Sequence, residues 1–322
     1  MKENTNPSDL TLIGVMKRFS TEEEARKYFE QVRWPHGPTC PHCGNVDTAR
    51  IYAVTPNPEK KIRAGVWKCG ECLKSFTVTV KTVMEDSHVP LNKWLIAFYM
   101  MCASKTQISA LQLQRQLELG SYKTAWFMCQ RIRFALAGNG PMGKLMGTVE
   151  ADETYVGGKV RGRGRHYVGN KIAVVSLVER GGRVHSSVMK KVSGKALGKL
   201  MRQNIDALTH LNTDESKLYT KPGEEFLSHD TVNHGAEEYA RHDEKTGRLA
   251  TTNTVEGFFG NTKRSIDGTH HHVAGKHLNL YMAEVDHKYN TRGVSDGART
   301  DLAIRTIEGR RLTYKTPIGG AS

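Results

Sequence analysis

The sequence predicts a mixed α/β protein, with a sheet domain in the C-terminal half that follows a small cysteine-bearing segment and a helical segment. Three observations carry this prediction. Strand-like runs, a helical stretch and a further strand fill residues 148–214. Two Cys-x-x-Cys pairs, "CPHC" and "CGEC", stand 25 residues apart nearer the N-terminus. Between these features, apolar residues recur at helical spacing from Pro90 to about Ala137.

Taken in order, "STEEEARKYFEQVRW" reads as an amphipathic helix capped by Ser20 or Thr21, with acids at the positive end of its dipole. The cysteine segment, Pro38 to Val80, carries strand-like "RIYAV", "AGVWKC" and "SFTVTV", with a proline-marked turn at "TPNPEKK". Three helical runs follow: "LNKWLIAFYMMCAS", "QISALQLQRQLEL" and "SYKTAWFMCQRIRFALA". Gly120 stops the second and Ser121 caps the third. "GNGPMGK" reads as a linker. Strands are expected at "TVEAD", "KIAVVSLVER", "VHSSVMKKV" and "LTHLNTD", with helices at "GKALGKLMRQNIDAL", "NTVEGFFGNTKRSI" and "KHLNLYMAEVDHKYNTR". The expected organisation is a helix and ribbon over 1–88, a helical module over 89–140, a sheet domain over 141–292 and a tail over 293–322. The tail, rich in Gly, Arg and Thr, offers no pattern.

The 322 residues include 47 Lys and Arg against 33 Asp and Glu, a formal charge of +14 with a pI near 9.5. Such a surface suits a polyanion, and nucleic acid is the expected partner. Mean hydropathy is −0.52, and the longest strongly apolar run, "WLIAFYMMCA", is about half of what a membrane span needs. "MKENTNPSDLTL" lacks the apolar segment of a secretory signal. No membrane partner and a cytoplasmic setting, with reduced thiols, are therefore expected.

Cys40, Cys43, Cys69 and Cys72 can supply four thiolates to one tetrahedral Zn²⁺, since each short pair turns back toward the metal. Reduced thiols and the duplicated pair disfavour disulfides or a redox pair. His42 is a spare ring beside the site, and Cys102 and Cys129 are expected as buried thiols. The run from Gln107 to Ala137 suits a helix-turn-helix, in which Lys123, Gln130, Arg131 and Arg133 would contact phosphates or bases. An ordinary helical hairpin with Trp126, Phe127 and Ile132 as core is the alternative.

Acid is concentrated at unexpected places for a basic chain. In "MGTVEADETYVGGK", strand alternation puts Glu150 and Asp152 on one face and Glu153 on the other. Asp214 closes another strand, "LTHLNTDE". In "TNTVEGFFGNTKRSI", Asn253 reads as a cap with Glu256 completing a capping box. Lys263 stands two turns beyond Glu256 on the same face, followed by Arg264. Two strand-end aspartates and a helix-borne glutamate can converge on a pair of Mg²⁺ or Mn²⁺ ions, which keep coordination positions for phosphate. Gly157 and Gly158 then allow a tight exit into a basic loop of Lys159, Arg161, Arg163 and Arg165 that would hold DNA. His270, His271, His272 and His277 read as a basic loop rather than a second metal site, and His234 falls near the second aspartate.

These residues together resemble the IS1595-family, ISXO2-like transposases of bacterial insertion sequences. The resemblance runs through "CPHCG", "WKCGECLKSFTVT", "VEADETYVGGK", "LNTDE", "HDTVNH", "TNTVEGFFGNTKRSIDGTHHHV" and "KHLNLYMAEVDHKYNTR". It implies a zinc ribbon, a helical DNA-binding part and an RNase H-like catalytic domain with a DDE-type site. Carried over, the acids are Asp152, Asp214 and Glu256, with Lys263 as the associated lysine. Some members carry asparagine as the third residue, which leaves Asn253 as the alternative to Glu256. The implied activity is cleavage and strand transfer of element ends without a covalent protein–DNA intermediate. The implied partners are the terminal inverted repeats, target DNA and further copies of the chain in a dimer or larger synaptic assembly, associated with the bacterial nucleoid. The rival readings are a zinc-ribbon regulator with a catalytically silent domain, and a nuclease that cuts without joining.

Overall fold

The structure, a computed structural model, describes residues 10–138, 143–157, 171–242, 244 and 247–318. The chain divides into two compact units, Met1–Gly138 with Thr291–Ser322, and Asn139–Asn290.

In the first unit, α1 (Leu12–Arg18) precedes α2 (Glu22–Arg33). Thr21 caps α2 in a full capping box with Glu24, so the sequence signal is read locally. The cysteine segment forms a three-stranded antiparallel sheet of β1 (Ile51–Ala53), β2 (Trp67–Cys69) and β3 (Ser75–Phe76). "SFTVTV" is therefore strand only at its start; Thr77 to Val83 continue as turns, held by bonds such as Val80 N to Thr77 O. α3 (Leu91–Ala103), α4 (Ala110–Gln116) and α5 (Tyr122–Leu136) supply nearly half of the buried apolar residues of the core. Ser109 and Ser121 cap the last two.

One apolar cluster runs from Val15 through Phe29, Phe76 and Phe98 to Ile132. The ribbon and the helices thus share a core rather than forming separate bodies. The tail also differs from expectation. Asp296–Arg305 is a helix capped by Ser295, and Ala303, Ile304 and Ile307 are fully buried in the same cluster. Its small and polar composition hid an apolar stripe only a few residues wide.

The second unit holds a five-stranded mixed sheet. Its strands are β4 (Thr148–Val156), β5 (Ile172–Glu179), β6 (Val184–Met189), β7 (His210–Asp214) and β8 (Ser228–Val232). Their spatial order is β6-β5-β4-β7-β8. The first three pair antiparallel, and β7 and β8 add in parallel to β4. This is the mixed sheet expected of an RNase H-like domain. α6 (Gly194–Asn204) and α7 (Lys217–Gly223) follow β6 and β7. A small hairpin, β9 (Ala240–His242) with β10 (Leu249–Thr251), leads into α8 (Asn253–His270) and α9 (Gly275–Asn290).

The two sheet faces have separate cores. Val149, Ala151, Leu197, Met201 and Tyr219 pack on one, while Val156, Val174, Val255, Phe258 and Leu278 pack on the other. Along β4, even-numbered residues consequently face the α8 side and odd-numbered residues the α6 side. β4 ends at Gly157, whose φ of +147° suits glycine.

Candidate active site

β4 and β7 pair in parallel only from Thr148–His210 to Glu150–Asn212, so beyond that point the strands separate. Asp152 lies on β4 just past this fork, and Asp214 closes β7. Glu256 sits in the first turn of α8. Burial pushes the Asp152 carboxyl up to about 7, and the charges of Asp214, Glu153 and Glu256 add to that rise. The bond it accepts from the Glu153 amide, 2.7 Å, opposes it. Asp214 is raised by burial and by the charge of Glu215, against the Ser216 N–H that its Oδ1 accepts at 3.1 Å. Asp152 thus feels the charges of both Asp214 and Glu256. They do not form a single tight cage: among the described residues, only the four cysteines bring their ligand atoms within 4.8 Å of one another.

The docking of the α8 N-terminus on β4 has a buried mechanical cause. Glu150, fully buried on the same face as Asp152 and two residues before it, caps α8. Its Oε2 accepts the amides of Thr254 at 2.7 Å and Val255 at 3.0 Å, and its Oε1 accepts the Thr254 hydroxyl at 2.8 Å. Arg180 donates to the same Oε1 from Nε at 3.1 Å and Nη2 at 2.9 Å. A carboxylate at a helix N-terminus meets both the free amides and the positive end of the dipole. Asn253 is consequently the first helical residue rather than the cap; Thr252 holds the cap position and makes no side-chain cap bond.

Arg180 also donates to the carbonyls of Leu249 at 3.0 Å and Thr251 at 3.4 Å. Asn212, two residues before Asp214, donates to the same two carbonyls at 3.3 and 3.2 Å. The residue two positions before each aspartate therefore grips the strand-to-helix junction that carries Glu256. Nothing in the local sequence marks Glu150 for this work, because its partners lie about thirty and a hundred positions away.

His234 and Thr252 orient the glutamate itself. The Thr252 hydroxyl donates to Glu256 Oε1 at 3.0 Å, and His234 Nε2 lies 3.4 Å from that oxygen. Glu215 fixes the histidine loop by accepting the amides of His234 at 3.0 Å and Gly235 at 3.2 Å. The sequence hint that His234 lies near the second aspartate holds: its charge lowers the Asp214 pKa. On the opposite face, Glu153 accepts a 2.6 Å bond from the buried Tyr219 hydroxyl. Burial raises Glu153, as does the nearby Asp214.

Among the other expected residues, Asn253 and Lys263 are exposed on α8, and Arg264 donates to Asn261 at 2.6 Å. Gly158, Lys159, Arg161, Arg163 and Arg165 lie outside the described residues. In the first unit, Lys123 is exposed, with its ammonium 4.3 Å from the centre of the Tyr314 ring. Arg131 and Arg133 correct the sequence reading. They are 8% and 1% exposed, with Arg131 stacked on Phe127, because the α5 face they occupy packs into the unit. Gln130 is buried with them. The histidine run forms no metal group among the described residues, and His270 packs edge-on against Tyr281.

The cysteine cluster meets its expectation closely. The Sγ atoms of Cys40 and Cys72, and of Cys43 and Cys69, are each 3.7 Å apart. A tetrahedron with zinc–sulfur bonds of about 2.3 Å has an edge of about 3.8 Å. The amide of Cys72, helped by that of Glu71 and the Asn45 side chain, holds the Cys69 thiol below its ordinary value. His42 stands aside, with Nε2 3.3 Å from the Ser75 carbonyl. All six cysteines are free, and Cys102 and Cys129 are buried.

A mixed five-stranded sheet of this order, in a chain that also carries a four-cysteine ribbon, defines an RNase H-like domain accompanied by a zinc ribbon. Residues 144–290 match the family described as ISXO2-like transposase domain, and residues 20–75 match the transposase zinc-ribbon domain. These two segments span most of the chain, which belongs to the IS1595 (ISXO2-like) transposase family. It is also similar to an uncharacterized protein in transposable element ISH50 of Halobacterium salinarum, 29% identical over 251 residues that cover 71% of this chain and 79% of that one. Among the described residues, no helix is long and apolar enough to cross a membrane.

Proposed function

We propose that this protein is a DNA transposase that binds the inverted repeats of its element and catalyses phosphodiester hydrolysis and strand transfer at Asp152, Asp214 and Glu256. What supports this reading is the placement of Asp152 on β4 and Asp214 at the end of the neighbouring β7, with Glu256 in the first turn of α8, whose N-terminus is capped by Glu150 of β4. Crowding acids without neutralisation is costly, and hard divalent cations are the ligands that carboxylate oxygens satisfy best.

Asp152, Asp214 and Glu256 would hold Mg²⁺ or Mn²⁺. When bound, such a pair activates the attacking oxygen and stabilises the leaving one. The chain's own contribution is alignment and charge. Glu150 and Asn212 hold the α8 junction against both aspartate strands, and His234 with Thr252 fixes the glutamate rotamer. Glu256 is preferred over Asn253 because its charge reaches Asp152 and its oxygen is oriented by two neighbours. Lys263 and Arg264 supply cations on the same helix for the phosphate. The zinc ribbon and α5 would recognise element ends through exposed groups such as Lys123, and pairing two ends calls for a dimer or larger assembly.

The test is a joining assay with labelled element ends, a target plasmid and Mg²⁺ or Mn²⁺. Joined product from the native chain, lost in Asp152→Ala, Asp214→Ala and Glu256→Ala but kept in Asn253→Ala, is expected. Cutting without joining would make the protein a nuclease. Repeat binding with neither cutting nor joining would make it a regulator.

A further inference from the structure

The second unit contains a basic groove that the carboxylate site does not use. It is a cavity of about 350 Å³ between α6 and α7, lined by Lys195 and Arg202 from α6, Lys217 and Lys221 from α7, and Glu225. Glu225 is its lone acid, and Arg202 holds that acid at 2.6 Å. Lys195, Lys217 and Lys221 are exposed, and among the described residues none of the three has an ion-pair partner.

Exposed lysines ordinarily mean only a solvated surface. Here the lysines are crowded, and Lys195 and the Lys217/Lys221 pair are set against local electrostatics. Lys195 is the second residue of the 11-residue α6, where the helix dipole disfavours a cation, and no acid occupies that first turn. Lys217 and Lys221 stand four apart on α7, where like charges repel. Only Lys221, in the last turn of α7, is favoured by its own helix dipole, and a polyanion lying in the groove would offset the repulsion among all three. The groove also begins where the candidate site ends. Asp214 accepts the Ser216 amide, and Lys217 is the next residue.

We infer that the α6–α7 groove is a track for the sugar-phosphate backbone of the DNA strand that continues past Asp214. This inference rests on the transposase reading for its choice of polyanion. Its chemistry, recognition of phosphate by unpaired ammonium groups, would also admit free phosphate, and the test separates the two.

The experiment measures binding of a fluorescent 30-base-pair duplex of arbitrary sequence to the zinc-loaded full chain across a salt series. Each phosphate contact contributes about 0.9 to the slope of log affinity against log salt. The triple variant Lys195→Gln/Lys217→Gln/Lys221→Gln is expected to lower that slope by about 2–3. Its melting temperature should stay within a few degrees of that of the native chain, since the three side chains are exposed and make no ion pair among the described residues. The double variant Glu23→Gln/Lys27→Gln, which deletes an exposed, internally neutral pair on α2 outside the groove, should leave the slope unchanged. A native slope in the triple variant, or failure of that variant to fold, overturns the inference. So does relief of the slope difference by millimolar inorganic phosphate at constant ionic strength, which would mark a free-phosphate site. Metal-dependent cutting by the native chain is scored separately. A lowered slope without cutting would sink the transposase reading and leave the groove standing. Cutting with an unchanged slope would do the reverse.

Discussion

The chain gathers ligand-type side chains twice, and the two gatherings are built in opposite ways. In the ribbon, four thiols from two short turns come within 4.8 Å of one another, and their sulfur spacing already matches a zinc tetrahedron. At the strand fork, each acid comes from a different element, and the set stays open. A closed thiolate cage suits a metal that holds a small segment together, while an open carboxylate set leaves positions for substrate oxygen. The ribbon's geometry is made by its ligands. The carboxylate geometry is made by residues that are not ligands at all: Glu150, Arg180 and Asn212.

Four experiments would break or sharpen this contrast. The largest effect should follow zinc removal. Structural zinc contributes on the order of 10 kcal/mol in isolated fingers, so chelation or Cys40→Ser/Cys72→Ser should unfold the ribbon. Trp34 and Trp67 pack edge to face beside it, and their fluorescence should report the loss, with one zinc per native chain by elemental analysis. A ribbon that stays folded without metal would erase the contrast.

Next comes Glu150→Ala, which leaves Arg180 half-buried without its carboxylate and strips the cap from α8. Breaking such a pair costs about 3–5 kcal/mol, which a denaturant titration would read. Metal affinity should fall with it, by about 10–100-fold as for other supports of metal ligands. Asn212→Ala should show the affinity loss with a smaller loss of stability.

A third experiment separates burial from crowding. Asp286 on α9 accepts the Ser186 amide at 2.8 Å and its hydroxyl at 2.7 Å, and burial lifts it to about 7 from an ordinary 3.8. The folded protein therefore binds this proton more tightly than the unfolded chain. Its contribution to stability is greatest below pH 4, declines as pH rises from about 4 to 7, and is lost above that. Asp286→Asn should gain stability relative to the native chain as pH climbs through the same window, measured by thermal melts. A constant difference between the two would deny the shift.

The smallest effect is expected at His234. His234→Ala removes one of two groups that orient Glu256, and joining should drop about tenfold, the lower end for such supports. His234→Gln, which can still donate near Oε1, should recover part of it.

Legibility in the sequence follows the same divide. The zinc ligands could be read because their spacing is the geometry, and α2 could be read because Thr21 and Glu24 make its cap within four residues. Asp214 was visible as an acid at a strand end, whereas Asp152, read as another, sits in the middle of β4, just past the point where pairing with β7 stops. What escaped reading depends on distance or on burial. Glu150 looked like a companion to Asp152, and only the fold supplies its hundred-residue reach to α8. Arg131 and Arg133 looked like a DNA-facing stripe, since sequence equates charge with surface, yet both are packed inside. α7 is short and carries Pro222 in its last turn, so it lacks a helical signature. The hairpin of β9 and β10 has only three residues in each strand, below the length at which alternation can be read.

The most direct measurement is a titration of the zinc-loaded native chain with Mn²⁺, followed by electron paramagnetic resonance. Tight binding of about two ions is expected, lost in Asp152→Asn and preserved in Asn253→Ala. Equal Mn²⁺ binding by the native chain and the Asp152 variant would contradict the claim that the fork acids form a metal site.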